Sequence, residues 1–234
     1  MAITRANTAK AEPLNSVGTS FATGAFAATN GNAIVVFIRS GGAGGSLNVT
    51  SVTDTAGNTY TQRVTNFDRD PSMWVYVAKN ITGHATNVVT VNISGTTSYT
   101  WAFAVEYAGV DADPEDVYPS NDDTAATDLV TNSITTNFHE EVVVLGGSQD
   151  TLSTFTAGTD FTLIDGAIGN VTLGGTFGGV EEYITGSALG GYTGHMTSDT
   201  SAQYCIVGVT LKQAGATPVV SGSGGGGTMA LMGV

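Results

Sequence analysis

The chain consists of short runs of β-branched and aromatic residues, each followed by a cluster of Gly, Asn, Asp or Ser. Residues 33–38 (AIVVFI) form a continuous apolar run, which is typical of a strand buried on both faces. In residues 101–107 large side chains alternate with Ala and Glu, so one face of that strand is bulky and the other is small. Such runs recur every 10–15 residues or so, and none has the period of an amphipathic helix. The pattern predicts an all-β chain of about a dozen strands.

Abundant Thr and Val, strands of period two and Gly-rich turns together predict a single antiparallel β-sandwich, with a jelly roll as the expected topology. The chain has 234 residues and an apolar fraction of 41%, which is enough for the core of one large domain. We expect residues 1–15 to form an N-terminal arm and residues 16–212 to form the sandwich. Residues 213–234 are expected to be a flexible Gly-rich linker that ends in an apolar anchor.

The C-terminal segment carries the first candidate site. A Ser/Gly run at residues 221–227 is followed by a short apolar stretch that contains Met229, Leu231, Met232 and Val234. Apolar side chains on a tether favour docking into a partner's pocket or along the edge of a neighbouring sheet. An undocked tail fits the sequence equally well. We predict these four side chains as partner-binding residues.

Charge is distributed unevenly along the chain. The net charge is −13, and residues 80–211 contain sixteen Asp and Glu residues but no Lys or Arg. We expect that this stretch cannot pair its charges internally, so that cations come from solvent, a metal or a partner protein. Phosphate binding needs clustered cations, so the composition argues against a nucleic-acid ligand.

Seven of these carboxylates fall within residues 111–128, which we predict to be a loop between two strands. Carboxylates on nearby alternate positions are ligands that Ca²⁺ prefers, so Asp111, Asp113, Glu115 and Asp116 are candidate metal ligands. A solvated acidic loop without a metal is the favoured alternative, and no cofactor is required by this interpretation. A third alternative is contact with a basic patch on another subunit.

No catalytic motif is evident. The single cysteine, Cys205, lies in an apolar run and is expected to be a small buried hydrophobe. The three histidines are far apart and lack the spacing of metal ligands. The acidic pairs at residues 140–141 and 181–182 occupy adjacent strand positions, so their side chains point to opposite faces. We therefore expect a protein that is not an enzyme, although carboxylates on different strands could still form a hydrolase pair.

The aromatic residues allow two interpretations. Trp74 and Trp101 lie in alternating strands, which favours a place in the core. If they faced outward, together with Tyr60, Tyr76 and Tyr99, they could instead stack against sugars. The N-terminus has no apolar segment typical of a secretory signal, and no run approaches the ~20 apolar residues of a membrane span. We expect synthesis in the cytoplasm and no membrane partner.

Five segments resemble, in order and spacing, a type of domain found in phage and phage-like bacterial genes. They are residues 52–61 (VTDTAGNTYT), 74–83 (WVYVAKNITG), 88–91 (VVTV), 105–110 (VEYAGV) and 205–212 (CIVGVTLK). The resemblance covers residues 15–212 and consists of strands and turns rather than active-site residues. It implies a virion-associated β-sandwich, a type that also occurs in adhesive and sugar-binding modules of surface proteins.

From this resemblance we expect a structural virion protein of a tailed phage, made in the host cytoplasm. The favoured role is that of a capsid decoration or cement protein that binds the major capsid protein or other virion proteins. A homo-oligomer is expected, with a trimer as one form. The alternatives are a carbohydrate-binding or adhesive module and, less favoured, a glycan hydrolase.

Overall fold

A computed structural model describes residues 1–12, 18–41, 47–66, 71–96, 100–170 and 175–220. Within these ranges the chain forms seventeen β-strands and no helix. The strands are β1 (Thr4–Ala11), β2 (Ser20–Ala22), β3 (Phe26–Ala28), β4 (Ala33–Ser40), β5 (Val49–Asp54), β6 (Thr61–Asn66), β7 (Ser72–Ala78), β8 (His84–Asn87), β9 (Val89–Ile93), β10 (Trp101–Ala108), β11 (Val110–Glu115), β12 (Ser120–Ile134), β13 (Glu141–Gln149), β14 (Phe155–Thr156), β15 (Thr162–Asn170), β16 (Gly175–Thr185) and β17 (Tyr192–Gln213).

The first half of the chain forms one five-stranded sheet, which we call the N-terminal sheet, in the order β1-β10-β4-β7-β6. Two small sheets, β2-β9-β5 and β3-β8, cover one of its faces. All pairings are antiparallel. The continuous apolar run in β4 is buried on both faces, as its sequence predicts.

The second half forms the C-terminal sheet, in the order β11-β17-β13-β16-β15, with β12 and β14 also paired to β17. Its inner face packs against the N-terminal sheet. Cys205, Val207, Val209 and Leu211 of β17 share one core with Trp101 and other side chains of the N-terminal sheet. The fold is therefore an all-β sandwich of antiparallel sheets, whereas its jelly-roll topology stays a prediction.

Close packing of the two sheets depends on glycine. A Cβ atom added to Gly178 would lie 2.6 Å from Cζ2 of Trp101 and 2.7 Å from the carbonyl oxygen of Gly147. A Cβ at Gly146 would lie 2.5 Å from Cδ1 of Phe37. Real Cβ atoms do not approach other atoms so closely, so these positions let large aromatic rings contact the neighbouring backbone.

The β12–β17 pair is a long ribbon that folds back over the C-terminal sheet. The Ser120 backbone N–H donates to Oδ1 of Asn132 at 3.2 Å, although twelve residues of straight strand would span about 40 Å. The register shifts on both sides of Ala126. At that bend, the partners of β12 change from residues 204–207 to residues 192–197 of β17.

A buried amide fixes this bend. The side chain of Gln149 donates to the carbonyl oxygens of Ala126 at 2.9 Å and Thr200 at 3.1 Å. Its Oε1 accepts the hydroxyls of Ser153 at 2.7 Å and Ser198 at 2.6 Å. Gln149 is fully buried, and all of its donors and its acceptor are used, as a buried polar group requires.

The folded-back strands form a separate cover, which we call the outer layer and define as residues 128–134, 155–161 and 192–198. Side chains of this layer and of the outer face of the C-terminal sheet form a third apolar cluster, in addition to the two clusters on either face of the N-terminal sheet. The cluster contains Leu129, Ile134, Val143, Leu145, Phe155, Phe161, Leu189, Met196, Tyr204 and Ile206.

Both predicted terminal segments include residues that pair with the sheets. β1, which lies within the predicted N-terminal arm, pairs with β10 along residues 4–11. The predicted linker begins at Gln213, the last residue of β17. Beyond it, the backbone N–H of Val219 donates to Asn137 O at 2.7 Å, and Thr217 O accepts from His139 N at 3.1 Å. Residues 221–234 lie outside the described part of the chain.

Candidate functional site

The acidic segment is not the loop that its composition predicts. Most of residues 111–128 belong to β11 and β12, and both strands pair with β17. The first part of β12 is largely solvated, with residues 123–125 and 127–128 exposed, so it lacks the apolar alternation that marks a half-buried strand. Polar strands of this kind are easily mistaken for loops in a sequence.

The four candidate metal ligands accept hydrogen bonds from cations, backbone N–H groups and an amide. Asp111 Oδ1 accepts the N–H of Asp113 at 3.0 Å, and Asp113 pairs with Lys79. Glu115 accepts both Nε and Nη2 of Arg63 at 2.5 Å. The oxygens of the fourth ligand, Asp116, accept the backbone and side-chain N–H groups of Asn137 at 2.7 Å each.

Across the described ranges, no three His, Cys, Asp or Glu side chains are grouped so that they could hold a metal ion. The structure therefore does not bring Asp111, Asp113, Glu115 and Asp116 together as a calcium site.

The expectation that the acidic stretch cannot pair its charges internally is wrong at the junction of the two sheets. Arg63 and Lys79 reach Glu115, Lys10 reaches Asp165 at 3.1 Å, and Arg5 reaches Glu182 at 3.4 Å. Each cation comes from the first half of the chain and each carboxylate from the second. Sequence separation concealed these pairs, because they form only when the two sheets pack face to face.

The contacts of Arg63 and Lys79 with these carboxylates shift the pKa of both cations. The hydrogen bonds that Arg63 donates to Glu115 raise the pKa of Arg63, and the hydrogen bond that Lys79 donates to Asp113 raises the pKa of Lys79. Lys79 in turn lowers the pKa of Asp113. Arg63, Lys79 and Asp113 are therefore charged at neutral pH.

Two buried carboxyl groups in the C-terminal sheet have few partners. Glu141 and Glu181 are both fully buried on its outer face. Among the described residues, neither oxygen of Glu141 nor Oε1 of Glu181 has a hydrogen-bond partner within normal geometry. Burial raises the pKa of each group to about 8. For the pKa of Glu141, the nearby Thr210 hydroxyl and Phe138 backbone partly offset this rise, whereas the nearby Asp116 carboxylate adds to it. Both carboxyl groups consequently hold a proton at neutral pH.

The adjacent acidic pair at residues 181–182 splits between two environments, as strand alternation predicts. Glu181 faces the outer layer, and its Oε2 accepts the N–H of Gly158 at 3.0 Å. Glu182 faces the other sheet, where it accepts the hydroxyl of Tyr107 at 2.6 Å and contacts Arg5. The two carboxyl groups therefore do not form a catalytic dyad.

The histidines are also separate from one another. His84 and His139 accept backbone N–H groups through Nδ1, from Thr86 at 3.1 Å and Ala188 at 3.4 Å. His195 lies in the outer layer, where its Nδ1 is 3.1 Å from Oδ1 of Asp128.

The aromatic side chains proposed above for sugar stacking are mostly in the core. Trp74 and Trp101 are each 1% exposed, and Tyr76 is 7% exposed. Tyr60 is largely enclosed and donates its hydroxyl to Asp54 at 3.0 Å. Tyr99 lies outside the described residues. The core interpretation of the two tryptophans is confirmed.

Three aromatic rings form a group on the outer side of the molecule that the sequence did not predict. Phe161, Tyr183 and Tyr192 pack with centroid separations of 5.7–6.2 Å. They come from separate strands and a loop, so no local spacing signals the group.

The predicted partner-binding residues Met229, Leu231, Met232 and Val234 lie outside the described residues. In the described part of the chain, no helix is long and apolar enough to cross a membrane. No protein-family model matches the sequence, and no curated protein matches it significantly.

Proposed function

We propose that this chain is a structural virion protein of a tailed phage that acts as a capsid decoration or cement protein and has no catalytic role. The observation that carries the proposal is the separation of charge between the two halves. Residues 1–108 contain six Lys and Arg and five Asp and Glu, a net of +1. Residues 109–234 contain one Lys and fifteen Asp and Glu, a net of −14, and the two values sum to the chain's −13.

The described cations of the first half pair with only part of the acidic surface. Those at Arg5, Lys10, Arg63 and Lys79 contact carboxylates at the junction of the sheets. Other carboxylates, such as Asp123 and Asp128, are exposed on β12. A rigid all-β surface of this charge is suited to a protein partner with clustered Lys and Arg, because opposite potentials steer association and fix its orientation. A capsid shell with a basic outer surface is such a partner.

The first test is the mass associated with intact particles. We expect the chain to sediment with virions of the native source, at hundreds of copies per particle. A handful of copies would place it in the tail or a fibre instead. Absence from particles would contradict the proposal and favour the adhesive module.

A second test targets the acidic surface directly. The double substitution Asp123→Asn and Asp128→Asn removes two exposed charges from β12, and we expect weaker binding to shells that lack the protein. The matched control, Asp123→Glu with Asp128→Glu, keeps both charges and should bind as the wild type does. Equal binding by the Asn and Glu variants would show that these charges do not contribute.

A further inference from the structure

The buried carboxyl group of Glu181 lies directly beneath the outer layer. Strand alternation in β16 points Glu181 and Tyr183 outward and Val180 inward. Oε2 of Glu181 accepts the N–H of Gly158, which belongs to the outer layer, at 3.0 Å. Oε1 is buried and has no hydrogen-bond partner in the part of the chain that the structure describes. A buried carboxyl group with a single donor is stable only when it is neutral.

Gly158 is connected to the other segments of the outer layer. Its Cα packs against the carbonyl group of His195 so closely that a Cβ atom would not fit. The next residue is Thr159, whose carbonyl oxygen accepts a hydrogen bond from the Tyr192 hydroxyl at 3.0 Å. The backbone N–H of Thr159 donates to Nε2 of His195 at 3.3 Å. His195 contacts Asp128 of β12. Direct contacts therefore connect Glu181, through Gly158, to all three segments of the outer layer.

The groups around Glu181 offer little compensation for a negative charge. Asp128 from β12 and Asp160 from the outer layer are carboxylates, and His195 of β17 already contacts Asp128. Tyr183 and Tyr192 are phenols, and burial together with the nearby carboxylates raises the pKa of Tyr192 to about 12. All these elements fall within residues 80–211, where the sequence has no Lys or Arg.

We propose that the outer layer is a strap that stays closed over the C-terminal sheet while Glu181 is protonated and opens as this carboxyl group ionises. Opening exposes the apolar side chains of the outer face, including Leu145 and Ile206, and leaves the core between the two sheets intact. The proposal concerns regulation within the fold and does not depend on the virion role.

The direction and range of the effect follow from proton linkage. In the open strap, Glu181 is solvated and has the ordinary pKa of 4.5, whereas burial raises this pKa to about 8 in the closed strap. Opening therefore releases a proton at any pH between these two values. The opening equilibrium rises by up to about tenfold per pH unit across this range, and it becomes independent of pH above it.

Amide hydrogen exchange tests this proposal. Exchange is measured between pH 5 and pH 8.5 and divided by the rate of the unfolded peptide at each pH, which removes the base catalysis of exchange itself. We expect the protection of residues 128–134 and 192–198 to fall by up to about tenfold per pH unit and to level off near pH 8. Protection that does not change with pH in the wild type would overturn the proposal.

Two variants locate the effect. Glu181→Gln cannot ionise, so the protection of the outer layer should become independent of pH. Glu141→Gln is the matched control, because Glu141 has a similar environment but lies beside Asp116, away from Gly158. It should leave the pH response of the outer layer unchanged. The proposal fails if the two variants behave alike.

The sole cysteine supplies an internal check. Cys205 lies in the core between the sheets and is fully buried. Its labelling by a thiol reagent, referenced to a free thiol at each pH, should remain slow while the strap opens. Labelling that accelerates in step with exchange in the outer layer would show global unfolding and overturn the proposal of a local strap.

Discussion

Each half of the molecule buries a sheet on both faces, but the buried carboxyl groups of the two halves differ in how many hydrogen-bond donors contact them. In the N-terminal half, the carboxylate of Glu106 is fully buried and accepts hydrogen bonds from the Asn7 and Asn32 amides and the Thr29 backbone N–H, at 2.6–2.8 Å. In the C-terminal half, Glu141 and Glu181 are equally buried, but within the described ranges they have one such donor between them.

This difference shows that burial alone does not determine what a carboxyl group contributes. A buried carboxylate with three donors can stabilise the fold in its charged form, because each hydrogen bond offsets part of the cost of its desolvation. A carboxyl group with one donor or none must take up a proton instead, and it makes the surrounding structure sensitive to pH. We therefore expect the packing of the second half to depend on pH more strongly than that of the first half.

The largest effect is expected at the core that the two halves share. Trp101→Ala removes a side chain that is 1% exposed and packs between the sheets, so the free energy of unfolding should fall by about 3–5 kcal/mol. Denaturant unfolding followed by circular dichroism should still show one transition. Tyr118→Ala, at a side chain that is 37% exposed, is the control and should change little. Two transitions would show that the halves fold independently.

A matched pair of substitutions tests the contrast between the buried carboxyl groups. Glu106→Leu leaves three donors without an acceptor, and we expect a loss of about 2–3 kcal/mol in the free energy of unfolding. Glu181→Leu leaves only the N–H of Gly158 and removes a group that is costly to bury. At pH 7.5 it should therefore be neutral or stabilising. Similar losses from both substitutions would refute the contrast.

The sequence predicted the all-β fold because the main strands alternate strongly or are apolar throughout. The burial of β4 on both faces and the core positions of Trp74 and Trp101 follow directly from that pattern. β12 was not predictable in this way, since an edge strand solvated over much of its length needs no apolar period. The ion pair between Arg63 and Glu115 depends on sheet packing, which local spacing does not report.

The environments of the buried acids were equally hidden from the sequence. Glu141 and Glu181 each precede or follow another glutamate, and alternation predicts only that neighbours face opposite ways. The hydrogen bonds that each glutamate accepts come from residues distant in sequence, such as Tyr107 for Glu182 and Gly158 for Glu181. The fold-back of β12 and β17 is set by the buried Gln149, whose four hydrogen bonds come from segments far apart in sequence.

Stability should depend on pH through the C-terminal half. The pKa of Glu141 and that of Glu181 are both raised from 4.5 to about 8 in the folded chain. The folded chain therefore binds more protons than the unfolded chain between these values, so the free energy of unfolding falls as the pH rises from about 4.5 to about 8. With one extra proton on each of the two groups, the slope should reach about 2–3 kcal/mol per pH unit.

Urea titrations at several pH values measure that slope. The double variant Glu141→Gln with Glu181→Gln should be nearly flat over the same range. Glu106→Gln, in the other half, is the control and should retain the slope of the wild type. A wild-type stability that rises with pH across this range would contradict the assignment of both carboxyl groups.

The smallest effect is expected at the ion pairs that join the halves. Arg63→Met removes the bidentate partner of Glu115, whose side chain is only 5% exposed, and should lower the free energy of unfolding by about 1 kcal/mol. Lys79→Met, at a side chain that is 40% exposed, should lower it less. Urea titrations in low salt and in 1 M NaCl separate the two, because salt screens the exposed pair more strongly. If Lys79→Met proved the more harmful substitution, exposed charge rather than the enclosed Arg63–Glu115 contact would hold the two halves together.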